Sequence, residues 1–111
     1  MDVFITAWRR DASPVLEEIK SYFADRFPDM DLEWKRAGAM IRTSLSTDEE
    51  TITAVFRELI GRYQDLEVEA RYSFDIREDD RSAQWWETVR IYSEEEDGET
   101  RIFRSSDVYW N

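Results

Sequence analysis

Apolar residues recur along the chain with a period of two or of about 3.6, and each period predicts one kind of element. Residues 3–8 are apolar on both alternating faces, which predicts a central strand. Residues 31–45 predict two strands joined by a tight turn at Ala37-Gly38, since glycine can adopt a positive φ. Residues 66–76 alternate strictly between apolar and polar side chains, as half-buried strands do. The pattern therefore predicts four strands before residue 77.

Two other segments have the helical period. The first begins at Ser13-Pro14, because serine can cap a helix and proline needs no hydrogen-bond acceptor in the first turn, and it stops at Pro28. The second follows the capping-box pattern of residues 47–50, whose acids also suit the positive end of a helix dipole. The apolar stripe of the second helix consists of Ile52, Val55, Phe56, Leu59, Ile60 and Tyr63.

The last third of the chain predicts a C-terminal hairpin. Residues 77–83 are polar and predict a loop, after which the runs WWETVRIYS and TRIFRSSDVYW predict two strands around Asp97-Gly98, a favoured hairpin turn. In element order, residues 2–76 resemble the split β-α-β topology of ferredoxin-like folds. We therefore expect one α+β domain over residues 1–111: a ferredoxin-like β-α-β-β-α-β sheet with two helices on one face, extended by a C-terminal β-hairpin over residues 83–110. The resemblance is to a fold and implies no activity.

The amino-acid composition excludes more classes of function than any motif does. With 41% apolar and 14% aromatic residues the chain should fold, and no apolar run approaches the ~20 residues that span a bilayer. The N-terminus lacks the residue order of a signal peptide, so we expect a cytoplasmic protein. There is no Cys and no His, which excludes thiolate nucleophiles, imidazole acid–base chemistry and structural zinc sites of the Cys/His type. We expect no cofactor.

Negative charge is concentrated in the second half of the chain. Residues 1–47 contain eight acids and seven basic residues, whereas residues 48–111 contain eighteen acids and eight basic residues, which together give the net charge of −11. A charge of this sign repels nucleic-acid phosphates and attracts basic proteins. We therefore expect a basic protein partner and no direct binding to nucleic acid or membrane.

Carboxylates are the only abundant acid–base groups, so a glycosidase-like pair is the enzymatic alternative. Glu87, beside Trp85-Trp86, and Asp107, before the aromatic C-terminus, are the best candidates, although exposed strand charges would give the same pattern. The acidic runs 78–80 and 94–99 lack the alternating spacing that folds a loop around calcium, so we expect no metal site.

Adjacent strand residues face opposite sides of a sheet, so Trp85 and Trp86 cannot be buried under one layer. Either one ring is exposed and anchors a partner, or the C-terminal hairpin curls over the sheet and buries both rings, and we favour the second interpretation.

The function we expect is that of a non-enzymatic acidic inhibitor, a nucleic-acid mimic that docks on a basic nucleic-acid-handling surface of a nuclease, a nucleic-acid-binding complex or a toxin. Phage anti-defence proteins of the anti-CRISPR-like type and toxin immunity proteins are similar in size, charge and lack of catalytic residues. One alternative is a structural or oligomerising ferredoxin-like module, monomer or homodimer, that pairs through a sheet edge or its aromatic face. Another is a small carboxylate-dependent enzyme. The residues predicted to bind the partner are Glu94, Glu95, Glu96, Asp97 and Glu99, with Glu67, Glu69, Asp79 and Asp80 as a second patch and Trp86 as an anchor.

Overall fold

Two helices and six strands make up the described part of the computed structural model, which comprises residues 1–7, 12–63, 65–93 and 98–110. The elements are β1 (Asp2–Ala7), α1 (Ser13–Arg26), β2 (Lys35–Ala37), β3 (Met40–Ser44), α2 (Glu49–Arg62), β4 (Leu66–Glu78), β5 (Arg81–Ser93) and β6 (Thr100–Trp110). The predicted α+β class, both helices and the C-terminal strands are confirmed.

All six strands belong to one antiparallel sheet with the order β2-β3-β1-β4-β5-β6. This order differs from that of a four-stranded ferredoxin-like sheet because β5 and β6 continue the sheet beyond β4. β5 pairs with β4 over twelve of its thirteen residues, from Glu67 opposite Tyr92 to Glu78 opposite Arg81. The predicted loop over residues 77–83 is therefore wrong, and the turn consists of Asp79, whose φ is 53°, and Asp80.

The hydrophobic core lies between the helices and one face of the sheet. Ile41, Ile5, Val68 and Ile91 lie opposite one another on four neighbouring strands, and each is fully buried. The helices contribute buried side chains at the predicted helical spacing. The largest of these are Leu16, Ile19, Phe23, Ile52, Phe56, Leu59 and Ile60. Burying one such side chain contributes about 1.5–3 kcal/mol, so this layer is the main source of stability.

The helix starts differ slightly from the predicted ones. Ser13 is the first residue of α1 rather than its cap; the capping position is Ala12, and the Ser13 hydroxyl accepts a hydrogen bond from Arg36 at 2.7 Å. Asp48 caps α2, because its carboxylate accepts a hydrogen bond from the Thr51 N–H at 2.7 Å. This backbone hydrogen bond lowers the pKa of Asp48.

Two hydrogen bonds from a tyrosine hydroxyl to a glutamate carboxylate join the two helices, and each helix accepts one of them. The Tyr22 hydroxyl of α1 donates to Glu58 of α2 at 2.6 Å, and the Tyr63 hydroxyl, just after α2, donates to Glu18 of α1 at 2.6 Å. Burial and the Glu58 hydrogen bond raise the pKa of Tyr22. The helices are thus fixed to each other as well as to the sheet.

Replacing Phe56 with alanine should lower the free energy of unfolding by about 3–5 kcal/mol, because the ring is fully buried between α2 and the sheet. The next residue, Arg57, is exposed on the same helix, so Arg57→Ala is a matched control and should change stability by no more than about 0.5 kcal/mol. Urea denaturation followed by circular dichroism measures both values. Equal losses in the two variants would contradict the described orientation of α2.

Candidate functional site

The sheet extends well past the helix-covered core. β1 pairs with β4 only from Leu66 to Arg71, and beyond this point β4, β5 and β6 continue as a three-stranded extension. We call this extension, residues 72–87 and 106–110, the arm. The Cα radius of gyration is 15.5 Å and the principal extents are 51 × 36 × 25 Å, compared with roughly 13 Å for a compact domain of this length. The elongated shape is consistent with an arm that projects from the core.

On the side of the sheet that carries the helices, the arm has a cluster of apolar side chains, most of which are at least partly exposed. Phe74, Trp85 and Val108 lie opposite one another on the three strands, and Ile76, Ala83 and Trp110 form the next row. We call these six residues the apolar patch. Its edges are open to solvent, since Phe74 is 46% exposed, Val108 36% and Trp110 44%.

Side-chain contacts fix the rings of the apolar patch in place. The Phe74 and Trp85 rings are stacked with centroids 6.1 Å apart and an angle of 14° between their planes. Trp85 Nε1 donates a hydrogen bond to Glu87 Oε1 at 2.5 Å, and the Arg81 guanidinium lies 4.4 Å from the centroid of the Trp110 ring. All three contacts favour a fixed orientation of the rings, so the patch is preorganised.

Trp86 lies on the opposite face, as strand alternation predicts. The Arg71 guanidinium lies 5.5 Å from its ring centroid, and Trp86 Nε1 donates to Gln84 Oε1 at 3.2 Å. Trp85 and Trp86 are both partly exposed. The interpretation that the hairpin curls over to bury both rings is wrong, because β5 is hydrogen-bonded to β4 on one side and β6 on the other, and curling would break these ladders.

Glu49 fastens the base of the arm to α2. Its carboxylate accepts hydrogen bonds from the Tyr72 hydroxyl of β4 at 2.9 Å and from Arg104 Nε of β6 at 2.8 Å. Burial, together with the hydrogen bond to Glu49, raises the pKa of Tyr72 to about 12. The sequence indicated only a helix-terminal acid at position 49, because the register that brings β6 under α2 is not visible in the sequence.

The acids predicted to bind a partner do not form one surface. Glu67 and Glu69 lie near the start of β4 on the face without helices, where Glu67 forms an ion pair with Arg90 and Glu69 lies opposite the same residue. Arginine thus neutralises much of this pair's charge.

Asp79 and Asp80 are exposed at the tip of the arm, twelve residues farther along β4 from Glu67. At roughly 3.3 Å per residue, this separation is about 40 Å, so Asp79 and Asp80 do not join Glu67 and Glu69 in the predicted second patch.

Glu99 lies at the other end of the sheet, before β6, and its exposed carboxylate pairs with Arg101 at 3.2 Å. Glu94, Glu95, Glu96 and Asp97 lie outside the described residues.

The two carboxylates proposed for an enzymatic pair lie on opposite faces. Glu87 is on the side of the apolar patch, whereas Asp107 is opposite Trp86 on the other face. They therefore cannot act on one bond from two sides of a cleft. Among the described residues, no group of three or more acids is arranged to hold a metal ion, and no helix is long and apolar enough to cross a membrane.

Sequence reasoning missed the most exposed apolar residues. These are Phe74, Phe103, Val108, Tyr109 and Trp110, and all of them lie on β4 or β6. The available signal was the lack of alternation in TRIFRSSDVYW, where apolar residues fall on both faces. The same pattern in residues 3–7 belongs to a central strand, so the pattern alone does not distinguish an exposed edge strand from a covered one.

Comparison with protein-family models, curated proteins and solved structures finds no match to this chain.

Alkaline pH should weaken the attachment of the arm. A tyrosine whose folded-state pKa is raised from 10.0 to about 12 contributes stability that is present below pH 10 and is lost as the pH rises toward 12. Tyr72→Phe cannot ionise at this position, so the free energy of unfolding of the variant should fall less steeply between pH 9 and 12.

Urea denaturation at several pH values within this range measures the slope. Tyr109→Phe, at a residue 59% exposed, is the control and should keep the wild-type slope. A Tyr72→Phe slope equal to that of wild type would contradict the role of the Tyr72–Glu49 hydrogen bond.

Proposed function

We propose that the protein is a non-enzymatic binding protein that docks its arm on a basic surface of another protein, one that handles nucleic acid. The observation that carries this proposal is the concentration of exposed apolar side chains on the arm. Of the five large hydrophobic residues exposed within the described part of the chain, Phe74, Val108, Tyr109 and Trp110 belong to the arm. Contiguous exposed apolar surface is typical of protein interfaces, and tryptophan is enriched where such interfaces bind most strongly.

The shape of the apolar patch favours a protein over a small molecule as its ligand. Small-molecule sites are concave and bury most of the ligand's surface. The patch instead lies on one face of a three-stranded sheet, and its outer members are about 40% exposed. A broad partner surface can cover both rows of the patch at once.

The charge around the arm favours a basic partner. Residues 66–110 contain thirteen acids and six arginines, a net charge of −7, which is most of the −11 of the whole chain. Within the described residues, Glu78, Asp79 and Asp80 lie at the tip of the arm, next to the row of the apolar patch that contains Ile76 and Trp110. A basic partner would be steered to this surface, and covering its nucleic-acid site would inhibit it.

We also propose a ferredoxin-like unit as the scaffold that carries the arm. The order β2-β3-β1-β4, with antiparallel neighbours and two helices between the strands in sequence, supports this assignment for residues 2–78. In this description β5 and β6 are an addition to the edge strand β4. The scaffold itself implies no activity, so the functional argument depends on the arm alone.

Removing the aromatic anchors should weaken partner binding strongly. Phe74→Ser combined with Trp110→Ser truncates two exposed rings, and truncating an interface anchor costs about 2 kcal/mol or more, a roughly thirtyfold loss of affinity. Capture from an extract that contains nucleases and toxins, followed by titration and nuclease inhibition with the purified partner, measures the loss.

A second pair of variants tests the contribution of the acidic residues to partner binding. Neutralising Glu78, Asp79 and Asp80 to the matching amides should slow association and reduce the salt dependence of binding. The same change at Glu17, Asp25 and Asp29, three exposed acids on or beside α1, removes equal charge far from the arm and should have little effect. Capture that resists salt and survives both sets of arm substitutions would contradict the proposal.

A further inference from the structure

β6 is an open edge of the sheet. It pairs with β5 along all eleven of its residues, and no described strand lies on its other side. Alternate backbone N–H and C=O groups along β6 therefore point outward without a strand partner. We propose that β6 pairs antiparallel with β6 of a second copy about a two-fold axis through Ser106, so that two six-stranded sheets become one.

β6 lacks most of the features that usually prevent edge pairing. Native edge strands are commonly short, bulged, or protected by proline, lysine or other charged side chains. The opposite edge of the sheet, β2, is only three residues long. In contrast, β6 contains neither proline nor lysine, and its register with β5 continues without a bulge from Thr100 to Trp110.

The charges on β6 restrict the register. A two-fold axis perpendicular to the sheet keeps the two faces distinct, so residues that lie opposite each other must share a face. Centring the axis on Arg104 or on Asp107 would place two like charges directly opposite each other, which is destabilising. The two central positions between them are Ser105 and Ser106, and neither creates such a pair.

The register centred on Ser106 makes the better side-chain pairs. On the face without helices, Phe103 of each copy lies opposite Tyr109 of the other. On the face with helices, Ile102 lies opposite Trp110. Aromatic and β-branched cross-strand pairs of this kind are stabilising, and each pair forms twice in the dimer. Centring on Ser105 would instead place Phe103 opposite Asp107.

The unpaired edge of β4 is a less favourable site for a second copy than β6. β4 is free of β1 over residues 72–78, but a strand shifted toward the core would meet β1, which pairs with β4 up to Arg71. The register that uses the whole free segment is centred on Asp75 and places two aspartates directly opposite each other. β6 is therefore the favoured edge for a second copy.

The dependence of association on salt concentration distinguishes this dimer from the docking of a basic partner. Each copy carries a net charge of −11, so two copies repel each other at low salt. Screening shortens the electrostatic range from roughly 30 Å at 0.01 M salt to roughly 3 Å at 1 M. Self-association should therefore strengthen as salt rises, whereas docking on a basic protein should weaken.

Sedimentation equilibrium at rising protein and salt concentrations tests the dimer. Ser106→Lys places two like charges across the two-fold axis and should raise the dimer dissociation constant by up to about fivefold. The monomer should keep its fold, because residue 106 is exposed and lies opposite Glu87 of β5. Ser73→Lys adds the same charge at an exposed residue of β4 and should leave the constant unchanged.

Single cysteines test the register, and the natural chain contains none that would interfere. Paired strand residues have Cα atoms about 4.5–5.5 Å apart, within the range of a disulfide, so Ser106→Cys should cross-link rapidly under mild oxidation. Ser105→Cys places its two Cα atoms more than about 7 Å apart and should cross-link slowly, as should Ser73→Cys.

The proposal is overturned if the wild type stays monomeric at high protein and salt concentrations, or if Ser106→Lys and Ser73→Lys give equal constants. Equal cross-linking rates at positions 105 and 106 would also overturn it. None of these results bears on the docking of a basic partner, whose readouts are capture by another protein and a loss of affinity with salt.

Discussion

The difference in length between β1 and β4 determines where the core of this protein ends. β1 has six residues and β4 has thirteen, and the burial of β4 changes from alternating to exposed at Arg71, where its pairing with β1 stops. Before this point, one face of β4 is sealed by the helices. Beyond it, the strand is held by β5 and by the hydrogen bond from Tyr72 to Glu49. The arm, the apolar patch and the open edge of β4 over residues 72–78 all follow from this one mismatch.

The pairing register of the strands also determines which acidic residues lie close to an arginine. A net charge of −11 suggests one broad negative surface, yet the described ion pairs place arginines among the acids, as Arg90 with Glu67 and Arg101 with Glu99 show. At the tip of the arm, Glu78 lies opposite Arg81, whereas Asp79 and Asp80 are exposed in the turn. The apolar patch thus borders charged groups at the tip, and interfaces commonly combine apolar contacts, which provide affinity, with charges, which provide steering.

The sequence predicted the helix-covered part of the fold well and the arm poorly. One buried layer contains the side chains of Val3, Ile5 and the stripe from Ile52 to Ile60. The period of apolar residues in these segments therefore predicts the type of element correctly. Residues 77–82 are exposed throughout, so no alternation of apolar and polar side chains distinguishes strand from loop there. This is why residues 77–83 resembled a loop. The acids at the tip and Glu67 resembled one patch for a related reason: their separation depends on the length of β4, which the sequence pattern does not fix.

The most direct test of a core that ends at Arg71 is residue-resolved amide hydrogen exchange. Within β4, amides from Leu66 to Arg71 lie between two strands and beneath the helices, so they should exchange slowly, near the rate set by global unfolding. Amides from residue 72 to residue 78 should exchange much faster, and those directed away from β5 fastest. Protection that remains uniform from Leu66 to Glu78 would contradict the account, because it would mean that the arm is part of the core.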